Sequence, residues 1–295
     1  MKKKNNIKHN IFSALNVTVL VMFCLVCIYP FINSLAVALN ESFDTMKGGI
    51  TFFPRKFTFD NFKFILSQDT IRTAFVVTIL RVVVATVISI VCLFAAAYAL
   101  TKKTLPGRNF LLTFLMIPMF LTPGIIPQYI LYGQLGLLNN FWVYILPGIF
   151  SFFNIVIIKA GINTIPDSLF ESANIDGASE FRVLFSIVLP LSLPVLATIV
   201  LWTVVGNWSD WTTTLYYASS DKSLYTLQYY VQMFISRAQV IQDMIQSGQL
   251  RGASYANPKS LQAAQVMITT IPIVCAYPFL QKYFIKGIIT GSVKE

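Results

Sequence analysis

The chain has 295 residues, of which 56% are hydrophobic, 14% aromatic and only 12% charged, with a mean hydropathy of +0.67 and a net charge of +10. An ordinary soluble domain carries about 25% charged residues. The composition therefore excludes a soluble enzyme of usual make-up, a disordered tail protein and a disulfide scaffold. It predicts an all-α integral membrane protein whose residues 1–295 form a single transmembrane domain.

Six apolar stretches are each long enough to cross the hydrocarbon core as a helix, which takes about 20 residues. The predicted spans cover residues 11–39, 71–100, 110–131, 141–160, 187–206 and 261–282. The first is too long for the apolar region of a signal peptide, and no small-residue cleavage site follows it. Cys24 and Cys27 within it are spaced like a redox or metal pair, but no second pair or histidine cluster completes a site, so we predict apolar packing there and no metal.

The distribution of positive charge predicts the topology. With the N-terminus in the cytoplasm, 12 Lys and Arg residues belong to the inside segments and 8 to the longer outside loops. Cytoplasmic loops are enriched in Lys and Arg, so both termini are predicted to be cytoplasmic. The net charge then needs no nucleic acid to explain it. Arg81, within the second span, should face the bundle interior or snorkel, because a charge facing lipid is costly.

The residues that would drive chemistry or pumping are missing. The dipeptide Gly-Lys of a phosphate-binding loop does not occur, the single histidine, His9, lies in the basic N-terminal tail, and no span contains an acidic residue. Secondary transporters usually keep ionisable groups near the membrane midplane. These absences disfavour an enzyme or an autonomous pump and favour a passage that is driven by another protein.

The loop of residues 161–186 is predicted to hold two short helices on the cytoplasmic face. Pro166 suits a first helical turn, Ser168 with Glu171 could form a capping box, and Asp167 could cap instead. Gly177 then breaks the chain before a second helix from Ser179 to about Ser186. The residues alone fit either a protruding docking knob or an ordinary amphipathic surface loop.

A second group of polar and aromatic residues could line a polar path through the membrane. Aromatic rings bind the apolar faces of a solute, while amides and carboxylates bind its hydroxyl groups. The end of the fifth span could do this, or it could be an aromatic belt at the membrane surface. The candidates are Trp202, Asn207, Trp208, Asp210 and Trp211, with Gln128 and Tyr129 in the third span as weaker ones.

Four motifs in chain order resemble those of permease subunits of ABC importers. They are Ala97-Tyr-Ala-Leu-x-x-x-x-Leu-Pro-Gly-Arg108, Gly136-Leu-Leu-Asn139, Glu171-Ser-Ala-x-x-x-Gly177 followed by Ile187-x-Leu189-Pro190, and the tail Gly287-Ile-Ile-Thr-Gly-Ser-Val-Lys294. The third resembles the EAA signature of this family. The whole resembles the second permease of maltose-type carbohydrate importers, closest to the complex-oligosaccharide group of Gram-positive bacteria. The resemblance implies the type I ABC importer fold.

The resemblance also implies roles for individual residues. Loop 161–186 would be the coupling loop that docks on an ATPase subunit, with Glu171 meeting a polar or basic group and Ala173 allowing close approach. Gly177 would permit the turn, and Ser172 departs from the alanine of the family pattern. Asp176 and Ala178 extend the match, and Gly287 and Gly291 would lie along the ATPase interface.

An importer of this kind implies several partners. These are a second, homologous permease, two copies of an ABC ATPase that binds ATP and Mg, an extracellular solute-binding lipoprotein, membrane lipid and an oligosaccharide. The chain itself would hold no cofactor and lie as a multi-pass protein in a bacterial plasma membrane. The alternatives are a permease for a non-sugar solute, and an ungated channel or scaffold.

Overall fold

The computed structural model describes residues 2–121, 123–246 and 259–275, and the side chains of residues 11–121, 123–236 and 259–275. Within these ranges the chain is helical, with no strand and one isolated β-bridge between Asn40 and Phe57. The helices are α1 (Lys2–Ala38), α2 (Ser42–Thr45), α3 (Asp60–Leu66), α4 (Asp69–Thr101), α5 (Arg108–Phe120), α6 (Ile125–Gln134), α7 (Phe152–Ile162), α8 (Asp167–Ile175), α9 (Glu180–Val183), α10 (Leu189–Leu191), α11 (Leu193–Ser209), α12 (Thr212–Tyr217), α13 (Leu227–Gln246) and α14 (259–275).

Two helices in the described ranges are long and apolar enough to cross a membrane unbroken. These are Ile11–Ala38 within α1 and Asp69–Thr101, which is α4. They coincide with the first two predicted spans. Their length follows from continuous apolar sequence with no interior glycine, since glycine weakens a helix by about 1 kcal/mol relative to alanine.

Three further stretches reach spanning length only as pairs of helices that bend at a short break. In the third predicted span α5 ends at Phe120 and α6 begins at Ile125, after Gly124 with a φ of +84°. In the fourth, a 3₁₀ segment, Phe141–Gly148, meets α7 at 50°. The sixth predicted span, 261–282, extends beyond the described α14.

The fifth predicted span is also bent, by 76° between Glu180–Leu191 and Leu193–Ser209. A π-helical turn, Leu184–Val188, precedes the break at Ser192. Pro190 and Pro194 flank the break, and each removes one helical hydrogen bond because proline has no N–H, which favours a bend. The second short helix predicted from Ser179 is thus a brief α-helical turn, α9, that passes directly into a π turn.

The chain divides into two compact units, residues 1–71 with 231–271 and residues 72–230 with 272–295. In the first, a buried polar turn follows α1. The Asn40 side chain donates to Asp44 (3.1 Å) and accepts from the backbone N–H of Lys56 (2.8 Å), and Arg55 pairs with Asp44 at 2.9 Å. These contacts lower the pKa of Asp44, the Asn40 hydrogen bond first and Arg55 second.

The second unit contains the apolar core that matters for function. The second half of α4, one face of α7 and the first half of α11 pack together in it. Gly161 on α7 allows the close approach of α11, because a Cβ there would lie 2.8 Å from Cγ1 of Val195. Residues of loop 161–186 complete the same core, which fixes the loop to the helices behind it.

Candidate functional site

Loop 161–186 contains two helices joined by a Schellman turn. The N–H of Ala178 donates to the carbonyl of Ala173 (2.9 Å), and that of Gly177 donates to Asn174 (3.1 Å). This pair of bonds requires a residue in the left-handed region, and Gly177 has a φ of +69°. The motif that suggested the loop therefore has a local physical role: it closes α8 and turns the chain into α9.

The helix starts differ in part from the sequence prediction. Pro166 immediately precedes α8, and no side-chain cap is present, so neither Asp167 nor the Ser168–Glu171 pair caps it. The hydroxyl of Ser172 donates to the carbonyl of Ser168 at 2.9 Å. Ser179 does cap α9, accepting from the N–H of Arg182 at 3.4 Å.

The loop is anchored on its inner side and apolar on its outer side. Ile165, Ala173 and Val183 are buried in the core shared with α4, α7 and α11. By contrast, Ile175 is 86% exposed and Phe181 is 76% exposed. Two large, exposed apolar side chains on either side of a hydrogen-bonded turn form a surface suited to bind another protein.

Four of the six docking residues predicted in the loop are exposed, as Ile175 and Phe181 are. Glu171, Ser172, Asp176 and Gly177 are exposed, Ala178 is half-buried and Ala173 faces the core. Ala173 is small because the loop packs closely there, so its role is in anchoring. Sequence reasoning missed Ile175 and Phe181, since apolar side chains are ordinarily assigned to the interior.

A second candidate site is a cavity of about 400 Å³ in the second unit, called here the Arg81 cavity. Its lining joins α4, the 3₁₀ segment before α7, α7 itself, and the end of α11. Three predicted path residues line it: Trp202, Asn207 and Asp210. The residues Arg81, Tyr144 and Asn154 lie beside them.

Arg81 is the centre of this cavity's polar contacts. Its side chain is 4% exposed, pairs with the Asp210 carboxylate, and donates to the Asp210 carbonyl at 3.1 Å and the Asn207 amide oxygen at 3.3 Å. The guanidinium lies 4.6 Å from the centroid of the Tyr144 ring. Of the two positions predicted for Arg81, the structure shows the interior one, where a carboxylate and an aromatic face replace its water.

Asp210 is positioned by the residues that follow it. Its Oδ1 accepts from the N–H and hydroxyl of Thr212, at 2.9 and 2.7 Å, and from the N–H of Thr213 at 3.2 Å. The carboxylate thus satisfies N–H groups at the start of α12 while it pairs with Arg81. Trp202 is 47% exposed and stacks on Phe153 at 6.2 Å, which holds its ring in a defined orientation.

The other predicted path residues lie outside the lining of this cavity. Trp208 is buried edge-to-face against Phe75, and Trp211 is half-buried. Gln128 accepts from the Tyr217 hydroxyl at 3.1 Å, and Tyr129 stacks on the Tyr217 ring. The candidate glycines of the tail, Gly287 and Gly291, lie outside the described residues.

Known proteins resemble the chain over nearly its whole length. The profile of the family described as "Binding-protein-dependent transport system inner membrane component" matches residues 88–290. In Bacillus subtilis (strain 168), a polygalacturonan/rhamnogalacturonan transport system permease protein, YtcP, is 33% identical over 97% of this chain and 99% of its own. Protein LplC of the same organism is 35% identical over 96% of this chain and 95% of its own.

A solved structure shares the fold. It is the crystal structure of a bacterial ABC transporter involved in the import of the acidic polysaccharide alginate, and one chain of it matches with a TM-score of 0.82 and 25% identity. The match covers 94% of this chain and 98% of that one. The described helices therefore have the type I ABC importer permease fold, as the motifs implied. The chain belongs to the family of binding-protein-dependent transport system inner membrane components.

Proposed function

We propose that the chain is the permease subunit of an ATP-driven ABC importer for oligosaccharides, lying in a bacterial plasma membrane with both termini in the cytoplasm. It would line half of the translocation path together with a second, homologous permease. Two copies of a separate ATPase would bind ATP and Mg, and an extracellular solute-binding lipoprotein would deliver the sugar. The family and the saccharide substrates in the names of its relatives support this proposal.

The observation that carries the proposal is the outer surface of loop 161–186. A helix–turn–helix with exposed Ile175 and Phe181 is anchored through Ala173 and Val183 to α4, α7 and α11. An ATPase that closes on ATP and opens after hydrolysis would move this loop and, through the shared core, the helices behind it. Such a rigid-body step would alternate the path between its outward-open and inward-open states.

The Arg81 cavity is our candidate for a sugar contact in the path. It combines an exposed indole ring, Trp202, with the amides of Asn154 and Asn207. Because Asp210 neutralises Arg81, the cavity carries no net charge from this pair. Such a lining suits the ring faces and hydroxyl groups of a sugar unit.

The proposal is tested by purification of the tagged chain from its native membrane in mild detergent, followed by mass spectrometry. We expect recovery of a second permease, an ABC ATPase and a solute-binding lipoprotein, whose ligand can then be identified by screening sugars. Recovery of the chain alone or as a homo-oligomer would favour the channel or scaffold. A lipoprotein that binds only a non-sugar solute would favour the other permease class.

Matched variants localise the ATPase contact. Ile175→Ser and Phe181→Ser should abolish recovery of the ATPase but retain the second permease. Phe53→Ser removes another exposed phenylalanine, 82% exposed and distant in sequence from the loop, and should leave ATPase recovery unchanged. If all three variants recover as much ATPase as the wild-type chain, the ATPase does not dock at this surface.

A further inference from the structure

One lysine directly after α4 contacts both helices of loop 161–186. The Lys102 amine lies 2.7 and 3.0 Å from the two carboxylate oxygens of Glu180, the first residue of α9. The same nitrogen lies 5.8 Å from the ring centroid of Phe170, on α8. A single side chain at the end of a long apolar helix therefore contacts both halves of the loop.

α4 supplies a second donor to the same carboxylate. The Tyr98 hydroxyl donates to Glu180, and the Lys102 amine lies 4.7 Å from the centroid of the Tyr98 ring. Tyr98 itself is buried in the core. The Glu180 carboxylate is thus held by two groups that belong to α4 or follow it immediately, one of them fixed by burial.

The turn that carries Lys102 is itself fixed. Gly107 has a φ of +71°, and the Arg108 side chain donates from Nε to the carbonyl of Leu100 at 2.9 Å. This bond satisfies a carbonyl in the last turn of α4 and places a positive charge at the helix C-terminus. Lys102 therefore follows a helix end that is held in place by this hydrogen bond.

The Lys102–Glu180 ion pair contributes little to the folding of the loop, which is anchored by other contacts. The Glu180 side chain is 64% exposed, and exposed ion pairs contribute little to folding. Partial burial opposes the charge on Lys102, but the hydrogen bonds and charges of Glu180 and Tyr98 together outweigh it and raise the pKa of the amine above its usual 10.5, so the pair stays charged at neutral pH. Folding of the loop depends instead on its Schellman turn and on Ala173 and Val183 in the core.

We propose that Lys102, acting through Glu180, is a positioning residue that makes α4 follow the movement of loop 161–186. This inference rests on the proposed function. The buried side chains transmit displacement of the loop toward the core, whereas the Lys102–Glu180–Tyr98 contact lies on the solvent side of the same joint. Loss of that contact leaves the shared core alone to carry the movement of the loop to α4, so α4 follows the loop less completely.

The test is made on the complete importer in proteoliposomes, with the lipoprotein and its sugar. Variants Lys102→Met, Glu180→Gln and the double substitution are compared with wild type for ATPase recovered, ATP hydrolysed and sugar transported. Lys103→Met is the matched control, because Lys103 is the neighbouring, exposed lysine. Lys102→Arg tests whether a conservative cation restores the contact.

We expect Lys102→Met and Glu180→Gln each to retain the ATPase but to transport about tenfold less sugar per ATP, within the range of coupling between linked sites. The double variant should be no worse than either single, since the two side chains act as one unit. Lys102→Arg and Lys103→Met should stay within about twofold of wild type, the range of small surface effects.

Two results would overturn the inference while the proposed function stands. One is a normal ratio of sugar to ATP in Lys102→Met, and the other is loss of the ATPase itself from that variant, which would make Lys102 a docking residue. A wild-type chain that recovers no ATPase would overturn the proposed function as well, so the two failures are distinguishable.

Discussion

Gly177 shows how a motif residue can be required for its backbone conformation alone. A Cβ at this position would meet nothing within 4 Å, so space does not select glycine. The φ of +69° selects glycine, because an L-residue in the left-handed region costs roughly 1–2 kcal/mol of conformational free energy. Substitutions here should therefore be graded by their tolerance of that conformation and not by their size.

Gly177→Val is accordingly expected to abolish sugar uptake while the chain remains in the membrane, because valine is β-branched and disfavours a positive φ. Gly177→Asn, with a side chain that tolerates this region, should retain most of the uptake. Radiolabelled sugar uptake together with immunoblots of membrane fractions measures both properties. Normal uptake by a fully expressed Gly177→Val chain would contradict the assignment of loop 161–186 as the coupling loop.

The exposed residues beside Gly177 mark the limit of sequence reasoning at this scale. The resemblance identified Glu171 and Gly177 because they belong to a pattern shared with known permeases. Ile175 and Phe181 are residue types that usually occur in the core. They are exposed here because of the way in which the Schellman turn sets α8 and α9. Tyr144 and Asn154 could not be identified from the sequence either, since no local pattern shows that Tyr144 contacts Arg81 or that both residues line its cavity.

At the scale of elements, the Arg81–Asp210 pair connects α4 to the junction of α11 and α12. Arg81→Ala leaves the Asp210 carboxylate, 23% exposed, without its cation. Breaking a buried pair in this way costs about 3–5 kcal/mol. We therefore expect a clear fall in the midpoint of thermal unfolding of the purified complex, measured by tryptophan fluorescence in detergent.

Two controls accompany this variant. Arg81→Lys keeps the charge but loses the planar fork over Tyr144, so its unfolding midpoint should lie between those of Arg81→Ala and wild type. Lys103→Ala removes an exposed cation and should not shift the midpoint. An Arg81→Ala protein as stable as wild type would show that the pair contributes nothing to the fold.

Hydropathy predicted where apolar helices lie but not where they bend. The stretches 11–39 and 71–100 correspond to unbroken helices, and the first continues through Pro30. The stretch 187–206 is equally apolar, yet its helix breaks at Ser192. Pro190 and Pro194 signalled a bend, but the π turn before them leaves no trace in composition.

At the scale of the whole molecule, the charge bias makes an orientation testable. Thr104, in the turn after α4, should face the cytoplasm, and Ser67, between α3 and α4, should face outside; both residues are exposed. The native cysteines, all four of them exposed, are first replaced by serine. A membrane-impermeant maleimide should then label Ser67→Cys in intact cells and Thr104→Cys only after permeabilisation.

The cysteine-free chain serves as the unlabelled control for this experiment. The opposite labelling pattern would invert the topology and place loop 161–186 outside the cell, where no ATPase could reach it. Labelling of both positions in intact cells would contradict a continuous span over Asp69–Thr101.

The π turn at Leu184–Val188 makes the number of residues between the docking surface and α11 important. Such a turn holds one residue more than an α-helical turn, and removal of one residue would rotate everything before it by about 100° relative to α11. α8 and Glu180 lie before it, so a single deletion would aim an unaltered docking surface in another direction. Among relatives, the number of residues from Gly177 to Pro190 should therefore be held more strictly than the identities of the residues between them.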